Sequence, residues 1–164
     1  MAMDKDALAS EIAQAMGHSH VTQQLKGFAQ GIIEEVRNGT ATFNLVPTPH
    51  PISAIVGPNM AQLVATYAGY GYASPELTQY CTGVATYIMA SGIVTYASPE
   101  SPPTPPDKAW FLEGTISGLV GSAMASTVAS FVPFPYVSKE LLAKCTAICN
   151  HIVNNAEVES GVIS

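Results

Sequence analysis

The sequence predicts a mainly α fold in which three related helical-hairpin units pack as one domain over residues 1 to 164, with short extended segments and proline-rich straps. Two observations carry this. Residues 52 to 94 align without a gap on 116 to 158, 64 positions later, with 16 identities in 43 positions, where composition alone would give about 3. A fainter copy lies 52 positions earlier: Ala9, Ile12, Ala13 and Gly17 fall on Ala61, Val64, Ala65 and Gly69, and Thr22, Leu25 and Val36 fall on Ser74, Leu77 and Ile88. The units span approximately 7 to 43, 52 to 96 and 116 to 159, joined by linkers at 44 to 51 and 97 to 107.

Each unit opens on a helix whose small and apolar residues recur at spacings of three and four. They are Gly57, Met60, Ala61, Val64 and Ala65 in the second unit, and Gly121, Met124, Ala125, Val128 and Ala129 in the third. An aromatic connector follows, GYGYA at 69 to 73 and PFPYV at 133 to 137, with His18-Ser19-His20 in the same register of the first unit. Ser74-Pro75-Glu76 and Ser138-Lys139-Glu140 then supply a capping hydroxyl and a first-turn acid, so a second helix starts there. Its apolar face is written three times: Leu25, Phe28, Ala29, Ile32, Val36; Leu77, Tyr80, Cys81, Val84, Ile88; Leu141, Cys145, Ile148, Ile152. Gly39 and Gly92 suit helix ends, and TATF and IVTY beyond them read as short extended segments.

The two linkers, NLVPTPHP and ASPESPPTPPD, are too rich in proline to continue a helix. Pro102 to Pro105 has the spacing of a polyproline ligand but no flanking arginine, which makes it a strap. Trp110 and Phe111 anchor that strap or meet another subunit. With Tyr70, Tyr72, Phe134 and Tyr136 they form the set of candidate interface residues.

Charge and composition exclude several functions. The chain carries 12 acidic and 6 basic residues, and no Lys or Arg occurs between Arg37 and Lys108. That excludes nucleic acid as the main partner, since binding needs clustered cations to displace counterions. Only 11% of residues are charged and 48% are hydrophobic, a thinly solvated surface that points to cover by neighbouring chains. An odd count of three cysteines and no basic leader predict a chain made in a reducing interior.

Motifs for chemistry are sparse. His18 and His20 are the weak candidates for a metal site, because alternate imidazoles can meet one ion, but the other units place aromatic rings in that register. Cys81, Cys145 and Ala29 share one register position, which marks a small core site. Glu34 and Glu35 read as a solvent-facing pair at a helix end, and His50 and His151 add no metal spacing. No nucleophile elbow or phosphate loop occurs. The expectation is therefore no enzyme, no cofactor and no metal. Residues 114 to 132 form an uncharged run of bilayer length with Gly114 and Gly118 spaced four apart, which raises a membrane-active, holin-like lysis role as the alternative. The second-unit copy, with Pro58 and Asn59, weighs against a span. A small metal-binding enzyme is a more distant alternative.

The pattern G-S-x-M-A-x-x-V-A over Gly121 to Ala129, followed by an aromatic connector and S-x-E-L-x-x-x-C-T-x-I over Ser138 to Ile148, resembles a group of small tailed-bacteriophage virion proteins. The resemblance covers roughly residues 50 to 160. It implies a subunit of a baseplate, neck, tail or capsid-associated structure, assembled in the host cytoplasm into the virion. Its partners would be other virion proteins and copies of itself, and the resemblance transfers no catalytic residue.

Overall fold

The structure, a computed structural model, describes residues 2 to 42, 50 to 96, 113 to 133 and 136 to 164. In chain order the elements are α1 (Lys5–Ala15), α2 (Gln23–Asn38), β1 (Thr40–Ala41), β2 (His50–Ser53), α3 (Gly57–Ala68), α4 (Pro75–Ser91), β3 (Ile93–Tyr96), β4 (Glu113–Ser117), α5 (Gly121–Phe131), α6 (Lys139–Asn155), β5 (Glu157–Glu159) and β6 (Val162–Ile163).

The helical repeat is present, but a mainly α domain of helical hairpins is not the fold. The short strands close into one antiparallel barrel in the order β1-β2-β3-β4-β5-β6, so the segments expected as isolated extensions are parts of a sheet with no edge. A helical hairpin sends the chain out and back, so the strands at its two ends run antiparallel and can pair. β2 thus pairs β3 around α3 and α4, through His50 opposite Val94. β4 pairs β5 around α5 and α6, through Gly114 opposite Val158. Among the described residues no strand precedes α1, and β6 pairs β1 through Thr40 opposite Val162.

Alternation places Ala41, His50, Ile52, Val94, Tyr96, Ile116, Val158 and Ile163 inside the barrel, all buried. Closure leaves no unpaired strand edge, which is how elements of two to five residues persist in water. The linker read over 44 to 51 is corrected at its end, since His50 and Pro51 belong to β2; the strap at 97 to 107 lies outside the described residues.

Among the described residues six helices form a ring, each packed on the next in chain order and α6 returning to α1. The faces read from the repeat are the buried ones: all five residues named on α3 and all five on α5 are buried. On the second helices the lower part of the stripe is sealed (Ala29, Ile32, Val36; Cys81, Val84, Ile88; Cys145, Ile148, Ile152), and Leu25, Leu77 and Leu141 cover it at the other end. Each buried Ile or Val contributes about 1.5–3 kcal/mol relative to exposure.

Small residues decide how closely the units approach. A Cβ on Gly31 would lie 2.5 Å from Val64 N, and one on Gly83 would lie 2.8 Å from Val128 Cα. These two glycines hold one register position, at the seams between first and second and between second and third units. Ala147 holds it at the seam between third and first. Within units, Gly57 and Gly121 lie against Thr82 and Thr146, each with its absent Cβ 2.4 Å from a threonine Cα. The first unit replaces that pair with Lys5 and Gln30, which hydrogen-bond at 3.3 Å.

The uncharged run at 114 to 132 is not one helix. It divides into β4, a turn at Gly118 with φ of 83°, and α5. Gly114 and Gly118 therefore do not share a helix face, and among the described residues no helix is long and apolar enough to cross a membrane.

Candidate functional site: the connector end and the inter-unit latches

The barrel joins the C-terminal ends of α2, α4 and α6, so the connectors within the three hairpins gather at the opposite end of the molecule, about 25 Å away along helices of 16 or 17 residues. Gly17 and Gly69, with φ of 75° and 81°, turn the chain out of α1 and α3, a conformation that side chains with a Cβ resist. Thr22, Ser74 and Ser138 restart it, each hydroxyl accepting the backbone N–H three residues on at 3.1 Å.

Large exposed apolar residues stand at both ends of the molecule: Val56, Ile93, Val120 and Val162 around the barrel, and a tyrosine-rich set here. Tyr70, Tyr72 and Tyr136 are 53%, 72% and 67% exposed, with Phe131, Val137 and Leu142 beside them in the chain. Three of the six candidate interface residues therefore stand in solvent at one end; Trp110, Phe111 and Phe134 lie outside the described residues. His18 and His20 are exposed in the same region and line a hollow of about 220 Å³ with Thr22, Phe28, Tyr70 and Lys144. No group of three or more His, Cys, Asp or Glu able to hold a metal occurs among the described residues.

Beneath the connectors, register-equivalent residues meet near the centre. Phe28 and Tyr80 pack edge to face, 5.8 Å between centroids, and the Lys144 ammonium lies 5.7 Å from the Phe28 ring. Lys144 also pairs with Glu140 at 3.3 Å. The Tyr80 hydroxyl is sealed from solvent and has no hydrogen-bond partner of normal geometry, the nearby Cys145 thiol being a weak one. Burial drives the Tyr80 pKa well above the usual phenol value. The Cys81, Cys145 and Cys149 thiols are pushed up to about 12, in each case first by burial. All three are buried free thiols, the character expected of core residues and not of nucleophiles or metal ligands.

The polar groups that the sequence reading missed lie toward the barrel and form a repeated set. Each first helix begins with a backbone N–H that cannot bond within the helix, and a side chain from the preceding unit accepts it. Glu35 Oε1 takes Val56 N–H at 2.9 Å, the Tyr87 hydroxyl takes Val120 N–H at 2.8 Å, and His151 Nε2 takes Asp4 N–H at 3.1 Å. Residues 35, 87 and 151 are separated by the repeat shifts of 52 and 64, and are 2%, 6% and 1% exposed. Three different side chains thus perform one structural task.

This corrects the solvent-facing reading of Glu35, whose carboxylate is enclosed and also accepts from Asn38 at 3.3 Å. Its neighbour Glu34 accepts from the exposed Tyr67 hydroxyl at 2.7 Å, a bond that, with desolvation, raises the Tyr67 pKa. His151 is likewise a core residue. Because Nε2 accepts a proton, Nδ1 must carry one, and it faces Glu11 Oε2 at 3.1 Å. A His–carboxylate pair suggests a catalytic dyad, but a general base needs its second nitrogen directed at substrate, and here that nitrogen is occupied by Asp4 N–H.

His50, expected in a proline loop, points into the barrel against Tyr96 with centroids 5.3 Å apart, and the Tyr96 hydroxyl donates to Thr42 O at 3.0 Å. Outside, Glu113 and Glu159 stand directly opposite on β4 and β5, with Glu157 opposite Thr115. These acids rim an open hollow of about 620 Å³ with Thr95, Asn154 and Asn155.

Compared with protein-family models, with curated proteins and with solved structures, the chain returned no match in any of the three.

Proposed function

We propose that this chain is a non-enzymatic structural subunit of a phage particle, in the baseplate, neck, tail or capsid-associated layer, acting by packing against other virion proteins and copies of itself. The observation that supports it is the connector end: three tyrosines, a phenylalanine, a valine and a leucine stand in solvent on the connectors and the helix ends beside them. Large exposed apolar side chains gathered in one region mark an interaction surface. The buried polar groups support the same reading, since Glu35, Tyr87 and His151 serve the joints between units. The expected site of action is the virion.

The test is sedimentation velocity of the purified chain across a concentration range, beside Tyr70→Ser/Tyr72→Ser/Tyr136→Ser. Self-association, or co-purification with a large assembly, is expected for the parent, with loss in the triple variant at unchanged thermal stability. A monodisperse monomer at high concentration that binds no virion component would overturn the assignment.

A further inference from the structure

The connector end and the barrel differ in charge. The described strands and the β5–β6 turn contain Glu113, Glu157 and Glu159 and no Lys or Arg. Glu113 and Glu159 are direct cross-strand partners, an arrangement of like charges that costs stability within the sheet. Around the connectors the balance reverses. Lys26, Lys139 and Lys144 lie in the first two turns of α2 and α6, against Glu76 and Glu140 in the first turns of α4 and α6. Glu140 is already held by Lys144. Lys26 and Lys139 against Glu76 therefore leave the rim with a net positive charge.

We propose that copies of this chain dock head to tail, the connector end of one against the acid-rimmed flank of the barrel of the next. Tyr70, Tyr72 and Tyr136 supply the apolar centre, and Lys26 and Lys139 meet Glu113 and Glu159. The proposal rests on the assembly reading above and names its partner as a second copy. The opposed carboxylates explain why this occupant fits: a charge pair that is unfavourable in the isolated barrel is relieved when cations of a neighbour approach. A contact between two different surfaces of one chain is heterologous and repeats along the stacking direction; it does not close as a two-fold dimer.

The experiment compares three proteins by sedimentation velocity at low and at high salt. Glu113→Gln/Glu159→Gln removes the acidic face and relieves the cross-strand repulsion, so its fold is not weakened. Tyr72→Ser/Lys139→Glu blocks the connector end and adds a favourable first-turn acid to α6. Each variant alone should associate about ten-fold more weakly than the parent at low salt, and the parent should itself weaken about ten-fold as salt screens the contact. An equal mixture of the two variants should recover heterodimers, because one intact connector end then meets one intact barrel flank. If the parent associates but the Glu113/Glu159 variant associates equally well, the head-to-tail contact is overturned while the assembly reading stands. If the parent is monomeric throughout, self-association fails as well.

Discussion

Tyr87→Phe removes one oxygen from the molecule and tests the latches that join the units. The Tyr87 hydroxyl accepts Val120 N–H at 2.8 Å where the third unit's first helix begins. The ring is buried, so phenylalanine refills its volume. What changes is the N–H, left without an acceptor at a helix start. A neutral hydrogen bond contributes about 1 kcal/mol net, and an orphaned buried donor costs about 1–3 kcal/mol. Val120 itself is half exposed, so water partly compensates, and the expected loss is about 1–2 kcal/mol. For a chain of this length that lowers Tm by about 2–8 °C. Urea unfolding should show a lower midpoint at unchanged slope, and exchange of the Val120 amide should speed by about ten-fold, the equivalent of about 1.4 kcal/mol. Tyr80→Phe is the control, since its buried hydroxyl has no hydrogen-bond partner of normal geometry and only the weak Cys145 thiol nearby; that change should be neutral or stabilising by up to about 1 kcal/mol. Equal stability of Tyr87→Phe and the parent, with no change in Val120 exchange, would refute the latch account.

Further expectations concern backbone, seams and thiols. Ala54 has φ of 65° at the register position where the third unit has Gly118 at 83°, so Ala54→Gly should gain up to about 1 kcal/mol, the left-handed penalty less the extra entropy of glycine. Gly118→Ala should lose more, because its Cβ would also lie 2.5 Å from Ser91 O; paired urea titrations measure both. Gly83→Ala should cost about 1–3 kcal/mol by driving α4 from α5, and Ala147→Gly at the equivalent seam should cost about 1–2 kcal/mol in the same assay, from the helix propensity of glycine and one lost buried methyl. The three thiols should not react with a disulfide reagent at pH 8 in the native state and should react fully in urea. Their folded values near 12 lie above the 9.0 of a free thiol, so the stability they contribute is complete below pH 9 and is lost as pH rises toward 12. Labelling of the folded protein at pH 8 would contradict their burial.

The helical part of the fold was legible because it repeats at a period the eye can use. Four or five apolar positions per helix, spaced by three and four and written two or three times, fix a buried face whatever surrounds it, and Thr22, Ser74 and Ser138 mark where second helices start. The barrel was not legible in the same way. Strands of two to five residues carry too little alternation to separate from loops, and Pro51 beside His50 reads as a break. Ser160-Gly161, both at positive φ, is the one turn signal that could have revealed β5 and β6. Glu35, Tyr87 and His151 were hidden for a different reason. They share a register, but not a chemistry, and only their common task of accepting an N–H makes them equivalent.

The sequence by itself determined the repeat, the helix starts and the inward faces, including the core identity of Cys81 and Cys145, because these depend on neighbours within a few residues of one another. Only the tertiary structure decided that the last strand completes the first unit, that the sheet closes, and that buried polar groups latch one unit to the next. Those features depend on pairing between residues up to 147 positions apart, as Asp4 and His151 are. Local periodicity carries no record of such partners.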